Sequence, residues 1–291
     1  MRAVDFFFIM LCCLCWGGNF VVSSWALAGS DIPPFMLAFI RSCIVLLVMF
    51  PFLRKPLPKD WFIFLVMCAC VGAMHLALLY TGLKTAPASA SSIVAQMLIP
   101  FAAILSVIFL RERIGWVRGS AIIGALIGVV IMIYDPETFR LDIGLVWILL
   151  AYFVLAVASV LMKKVGDVDW RHYVAWVAVL VFVLMGAASF LFETGQAQVW
   201  REDKGPLLIA AGYAAIAVSV VAHGQYFQII RKYDVSQVVP LTLMTTVFAC
   251  VLGVIFLNDR LYPRYIIGAA LILPCVYLIA KRQKSAVIAE E

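Results

Sequence analysis

Long apolar runs separated by short polar breaks organise the whole chain. Ten runs of about 20 residues follow one another at Phe6–Ala28, Pro34–Leu53, Trp61–Leu83, Pro87–Leu110, Val117–Tyr134, Gly144–Met162, Tyr173–Phe192, Pro206–Ile230, Val235–Leu257 and Tyr265–Ala280. At about 1.5 Å per residue, such a run crosses a hydrocarbon core of about 30 Å. Backbone groups find no water there, so each run is predicted to be a helix that satisfies its own N–H and C=O groups. Barrel strands would read as short alternating segments instead. Pro33-Pro34, Pro87 and Pro206 stand where helices begin, a position at which the missing N–H costs nothing. Trp25, Trp61, Trp116, Trp147, Trp170 and Trp200 fall near run ends, as an interfacial belt requires. The connections are too short for a soluble domain. The expected fold class is an all-α integral membrane protein of ten transmembrane helices.

Composition points the same way. Hydrophobic residues make up 65% of the 291 and charged residues 13%, against roughly 25% charged in soluble domains. A soluble shell built from this chain would have too little polar surface to show water. The first run is read as an uncleaved span, because no small-residue cleavage site leads into a soluble domain. All eight cysteines lie inside apolar runs, where they behave as small hydrophobes rather than as a disulfide framework. Cys12-Cys13-Cys15 lacks the spacing of a metal site.

The net charge of +6 matters by position. With the N-terminus inside, 15 basic residues fall on the inner side, 6 on the outer side, and Arg41 within a span. That bias predicts both termini in the cytoplasm of a multi-pass protein. No basic patch with interleaved aromatics suggests nucleic acid.

A repeat is visible as well. A shift of 147 residues lays Val107-Ile108-Phe109-Leu110 on Val254-Ile255-Phe256-Leu257, Ser89 on Ser236, Met97 on Met244, Phe101 on Phe248, Glu112 on Asp259 and Arg113 on Arg260. Two five-helix repeats are therefore expected, residues 1–138 and 139–291, within one compact membrane domain. Five is odd, so the second repeat is inverted, with Glu112 inside and Asp259 outside. Inverted repeats with a site between them are a transporter signature.

Ionisable groups within spans are functional candidates, since burial costs an arginine about 2.5–3.5 kcal/mol or more. Arg41 stands about 10 Å along its helix from Pro34, and His75 about 21 Å along its helix from Trp61. Arg41 either holds a substrate carboxylate through its planar fork, or snorkels outward or bonds the carbonyls of a broken neighbour. His75 shares a helical face with Gly72, Leu79 and Gly82. It either carries a coupling proton or donates one interhelical hydrogen bond. His223 lies nearer a span end, beside Gln225, Tyr226 and Gln228. Asn19, Tyr80, Gln96, Thr242, Thr245 and Thr246 are weaker signals, each suited to helix–helix bonding or to ligand contact. Gln96, Ser92 and Ser89 share a face that meets Pro100, a plausible kink beside a cavity. Gly119, Gly124 and Gly128 suit close helix packing. No enzyme signature, phosphate-binding loop or cofactor motif is present, so no catalytic, metal or cofactor site is expected.

Several motifs carry a family resemblance. Trp16-Gly17-Gly18-Asn19-Phe20, Pro34…Ala38-Phe39-Ile40-Arg41, Tyr80-Thr81-Gly82-Leu83-Lys84…Ala88 and Leu110-Arg111-Glu112-Arg113 resemble, in order and spacing, the EamA-type members of the drug/metabolite transporter (DMT) superfamily. The resemblance spans essentially the whole chain. It departs from the family at Tyr152-Phe153, where a tryptophan is usual, and at Asp259, where a glutamate is usual. It implies a ten-helix inverted-repeat carrier with a cavity formed by both halves. It also implies a secondary transporter of the bacterial inner membrane that exports amino acids or related metabolites by alternating access. Facilitated uptake of small organic solutes and a non-transport partner subunit are the alternatives. The expected partners are a small-molecule substrate and the lipid bilayer, with proton coupling open through His75, in a monomer or weak homodimer. The expected substrate-binding residues are Trp16, Asn19, Arg41, His75, Tyr80, Gln96, His223, Tyr226 and Thr242.

Overall fold

The computed structural model describes residues 1–110, 115–135, 140–166, 168–233 and 235–287. Among them, ten helices are long and apolar enough to cross a bilayer. They are span 1 (Ala3–Leu27), span 2 (Pro34–Arg54), span 3 (Trp61–Leu83), span 4 (Ala88–Phe109), span 5 (Trp116–Ile133), span 6 (Ile143–Val165), span 7 (Trp170–Phe192), span 8 (Lys204–Lys232), span 9 (Val239–Leu257) and span 10 (Pro263–Lys281). The chain is a multi-pass membrane protein. Sequence and structure agree on every span to within a few residues. Among the described residues, three small features lie between spans: a pair of strands, Tyr134–Asp135 against Arg140–Leu141, and two short helices, Gln196–Glu202 and Val235–Val238.

Side chains such as Leu47, Phe190 and Phe256 are 81%, 86% and 68% exposed. In water those apolar surfaces would be costly; in lipid they are the expected outer face. Trp25, Trp61, Trp116, Trp147 and Trp200 are exposed near span ends, as the belt predicts. Trp170 instead turns inward against Gly224 of span 8.

Contacts between span ends sort the molecule into two faces. On the N-terminal face, Asp5 accepts hydrogen bonds from Lys232 Nζ at 2.6 Å and the Tyr233 hydroxyl at 2.7 Å. On the same face Lys55 pairs with Asp169, and His172 Nδ1 lies 2.9 Å from the Phe52 carbonyl. On the opposite face, carboxylates from one span hold the start of another. Glu193, after span 7, accepts from the Phe35 and Met36 amides at 2.7 and 3.0 Å. Asp259, after span 9, accepts from the Ser89 amide at 2.9 Å. Both recipient helices are preceded by a proline, Pro33 or Pro87, whose side chain offers no cap. The remote acids supply the negative charge that the helix N-termini favour.

Packing pairs elements that stand five spans apart. Span 5 meets span 10 through Gly124, Gly128 and Gly268, where added β-carbons would collide with Cys275, Ile272 and Met132. Span 2 meets span 7, with Phe39 and Phe182 rings 5.1 Å apart. Span 4 meets span 9 through Gln96 and Thr246. Departures from regular helix recur at the same shift of 147 residues. A π-helical turn occupies Cys70–Met74 in span 3, and another occupies Ala214–Ala222 in span 8. Span 4 breaks at Gln96-Met97, between Ala88–Ala95 and Leu98–Leu110. In the chain entering span 9, a 3-10 turn at Val239–Leu243 gives way to regular helix at Met244. Glu112 and Arg113, expected to pair with Asp259 and Arg260 across the repeat, lie outside the described residues.

The π turn corrects one expectation. On an unbroken helix, Gly72, His75 and Gly82 would share a face. The wider turn at Cys70–Met74 shifts that register, so Gly72 abuts Val177 and Val181 of span 7 while Gly82 abuts Gly144 and Ile148 of span 6. His75 follows Gly82 and points to span 6.

Candidate functional site

The irregular turns of spans 3, 4, 8 and 9 gather polar side chains in the membrane interior. Discontinuous helices are where membrane carriers place their binding groups, because unwound backbone and turned side chains replace water there. Arg41 on span 2 is partly buried. Its guanidinium donates to the Tyr80 hydroxyl of span 3 at 3.0 Å and to Ser219 Oγ of span 8 at 2.9 Å. Ser219 in turn donates to the Ala214 carbonyl at 3.0 Å, within the π turn. Arg41 therefore neither snorkels outward nor bonds the carbonyls of a broken helix. Its partners are hydroxyls, and both are neutral.

A hollow of about 40 Å3 lies beside this arginine, walled by Ser42, Val45, Leu76, Val174, Val177, Ala178, Val181 and Ser219. Ligand pockets usually measure some 300 Å3 or more, so the hollow as it stands is too small for a small organic molecule.

His75 is 8% exposed. Its Nδ1 lies 3.0 Å from the Ala151 carbonyl of span 6, and Tyr152 meets the ring edge-on at 5.1 Å. The bond leaves Nε2 as the ring atom for a further proton or partner. His223 follows the π turn of span 8 as His75 follows that of span 3. Trp16 of span 1 meets His223 at 5.7 Å and Tyr226 at 5.1 Å, both edge-on. Among the expected residues, Trp16, His223 and Tyr226 thus form one aromatic set, and Arg41 and Tyr80 form a second.

A third set crosses spans 4 and 9. Gln96 Nε2 donates to Thr246 Oγ1 at 2.7 Å, and Thr246 donates to the Ser92 carbonyl at 3.1 Å. Such interhelical bonds contribute about 0.6 kcal/mol on average in membranes, so the pair fixes the crossing more than it stabilises it. Asn19 is buried on span 1 at 7% exposure, and its Oδ1 has no protein partner among the described residues. Thr242 stands apart: its hydroxyl donates to the Val239 carbonyl at 2.6 Å within its own turn.

Ser219 and Tyr152 are not among the residues expected from sequence. Ser219 is the sole hydroxyl in the apolar stretch Ala214–Ala222 and lies four residues before His223, which was the available signal. Among the described residues, no group of three His, Cys, Asp or Glu converges to hold a metal ion.

The model of the EamA-like transporter family matches residues 5–134 and again residues 142–281. The chain belongs to the EamA-like transporter family. It is therefore a membrane transporter by family and a multi-pass membrane protein by architecture. Among relatives, a probable amino-acid metabolite efflux pump of Escherichia coli (strain K12) is 24% identical over 288 residues, covering 96% of this chain and 95% of that one. A protein of the same description from Salmonella typhimurium is 25% identical over 292 residues, with 96% and 95% covered. A crystal structure of a protein 19% identical in sequence shares the fold, with a TM-score of 0.65 over 100% of both chains. For this EamA-like transporter, the family match covers both halves, including spans 2, 3 and 8, which meet at Arg41.

Proposed function

We propose that this EamA-like chain is a secondary carrier that exports amino acids or related small metabolites across a bacterial inner membrane by alternating access. The observation that carries the reading is the convergence of Arg41, Tyr80 and Ser219 from three spans, two of them broken by π turns, beside a hollow that Arg41 and Ser219 line. The bacterial relatives described as probable amino-acid metabolite efflux pumps support export and an amino-acid-like substrate in this reading.

In this reading residues 1–138 and 139–291 are inverted repeats, with both termini in the cytoplasm. The double family match and the recurrence of irregular turns at a shift of 147 residues support that division. Trp16, Asn19, Arg41, His75, Tyr80, Gln96, His223 and Tyr226 line or support the substrate path. Thr242, bonded to its own turn, contributes only after that turn opens. The chain works as a monomer or weak homodimer and performs no chemistry on its cargo. Proton coupling, where it operates, runs through His75, whose Nε2 is the atom to receive the proton.

Comparison of intracellular and medium metabolites in cells with and without the gene tests export. Accumulation of an amino-acid-like compound inside the deletion strain, relieved by the wild-type gene but not by Arg41→Gln, is expected. Uptake in place of export would reverse the direction, and unchanged pools under every nutrient load would sink the carrier assignment. Everted vesicles test coupling: flux indifferent both to the pH gradient and to His75→Gln removes the proton from the scheme.

A further inference from the structure

Span 8 changes character at its midpoint. Its first ten residues, Lys204–Tyr213, are regular helix, the next nine, Ala214–Ala222, are π-helical, and His223–Lys232 is regular again. The π turn of span 3 has only five residues. Two side chains reach carbonyls five residues back within the wide turns of span 8. Ser219 Oγ donates to the Ala214 oxygen at 3.0 Å, and His223 Nδ1 lies 2.7 Å from the Val218 oxygen. Helices bend at π turns, because their backbone register is not fixed as it is in an α-helix. Ser219 also accepts a hydrogen bond from Arg41 at 2.9 Å. The irregular turn is thus tied to the candidate site.

Beyond that turn, the half-helix His223–Lys232 is fastened to span 1 rung by rung. Asp5, Ile9, Cys12 and Trp16 recur at four, three and four residues, so they share one face of span 1. Their partners descend span 8 in the opposite order. Trp16 meets the His223 and Tyr226 rings, and Cys12 Sγ donates to the Ala222 carbonyl at 3.3 Å. Ile9 and Ile229 belong to one buried cluster with Val238. At the N-terminal face, Asp5 accepts from Lys232 Nζ at 2.6 Å and from the Tyr233 hydroxyl at 2.7 Å, and that hydroxyl accepts from the Arg2 amide at 3.1 Å. The Asp5 side chain is only 16% exposed, so these charge-assisted bonds are less screened than those of an open surface pair. Towards span 7 the half-helix sets Gly224 against the Trp170 ring and Phe227 edge-on to Tyr173.

We propose that His223–Lys232 of span 8 is a gate on the N-terminal face. The π turn Ala214–Ala222 is its hinge, and Asp5 with Lys232 and Tyr233 is its latch. Ser219 is a positioning residue that ties the hinge to Arg41. The gate presupposes the carrier reading above and adds its moving part. Through Ser219, the state of Arg41 and the position of the gate bias one another in both directions. Opening releases Asp5, parts Trp16 from Tyr226 and uncovers Ile9 and Cys12, which are 0% and 1% exposed in the latched state.

The native Cys12 thiol reports the gate without an engineered label. Full-length protein in lipid nanodiscs is reacted with a sulfonated, water-soluble maleimide, and alkylation rates are read residue by residue by fragmentation mass spectrometry. Ile9→Cys, one turn nearer the face, is read in parallel. The rate follows the fraction of time the thiol is uncovered. Asp5→Ala is expected to raise it on the order of tenfold, since two charge-assisted bonds are lost. Lys232→Gln with Tyr233→Phe serves if Asp5→Ala does not yield folded protein. Ser219→Ala and Arg41→Gln should also raise it, Ser219→Thr should restore protection, and Tyr80→Phe, which spares the Ser219 bond, should leave it near wild type. Cys13, which donates to the Leu241 carbonyl beside span 9, should stay unreactive throughout. Reporters as protected in the latch variants as in wild type, or a Cys13 rate rising in step with Cys12, would overturn the gate. A Ser219→Ala rate at the wild-type level, or matched by Tyr80→Phe, would overturn the tie to Arg41. Normal export with both reporters sealed would remove the gate and leave the carrier. Labelling as expected with no flux of any metabolite would do the reverse.

Discussion

The Asp259 carboxylate, one residue past the αL cap of span 9, accepts a hydrogen bond from the Ser89 amide at the first turn of span 4, 2.9 Å away. Pro87 precedes that helix and cannot cap it, so the acid of a distant span takes the role. Gly253 makes the approach possible, because a β-carbon there would sit 2.7 Å from Asp259 Oδ2.

Asp259→Ala is therefore expected to cost about 1 kcal/mol of stability, the usual penalty for a lost helix cap. Asp259→Asn retains an acceptor and should lose less. Thermal unfolding of the purified variants measures both. An Ala variant as stable as wild type would show that the first turn of span 4 finds another acceptor.

Gly17 is a packing requirement. A β-carbon on it would meet the Thr245 carbonyl oxygen at 2.8 Å and the Ala249 amide nitrogen at 2.9 Å, both backbone atoms of span 9. Backbone cannot rotate away as a side chain does, so Gly17→Val should destabilise the protein by about 1–3 kcal/mol. Gly119→Ala, inside span 5, where a β-carbon meets nothing within 4 Å, is the control and should be neutral or slightly stabilising.

The hydrogen bond from Lys55 holds the Asp169 carboxyl below its usual value of 3.8, with the Arg171 amide adding to the effect. A carboxyl depressed in the folded state stabilises the fold above its unfolded pKa, and the contribution fades as pH falls through the lower folded value. Wild type should thus exceed Asp169→Asn in melting temperature at neutral pH, and the gap should close below about pH 3.8. Lys55→Ala should flatten the profile. A gap that persists in acid would assign the difference to packing.

Topology is testable at exposed positions on opposite faces. Lys59→Cys should be labelled from the cytoplasmic side and Gln198→Cys from outside by impermeant thiol reagents in intact cells and everted vesicles. The reversed pattern would overturn the loop-charge assignment.

Length, apolarity and loop charge are properties of the chain read in one dimension, and they determined the spans. Trp61–Leu83 is bounded identically by sequence and by structure, and the other spans differ by a few residues. The shift of 147 residues was also legible, since its apolar block and its serine and methionine matches are written in order. Arg41, Tyr80, His223, Tyr226 and Trp16 stood out because polar or amphipathic groups are scarce in such spans.

Tertiary structure alone decided what those residues touch. One π turn moved Gly72 off the face of His75 and Gly82, and a 3.6-residue wheel has no means of registering a wider turn. Ser219 became the partner of Arg41 because span 8 crosses span 2 at that height. Glu193 and Asp259 cap helices that begin far away in sequence. Each outcome depends on a crossing geometry worth about 1 kcal/mol per contact. That is too little to leave a pattern along the chain, yet enough, summed over the crossings, to set where the polar groups meet.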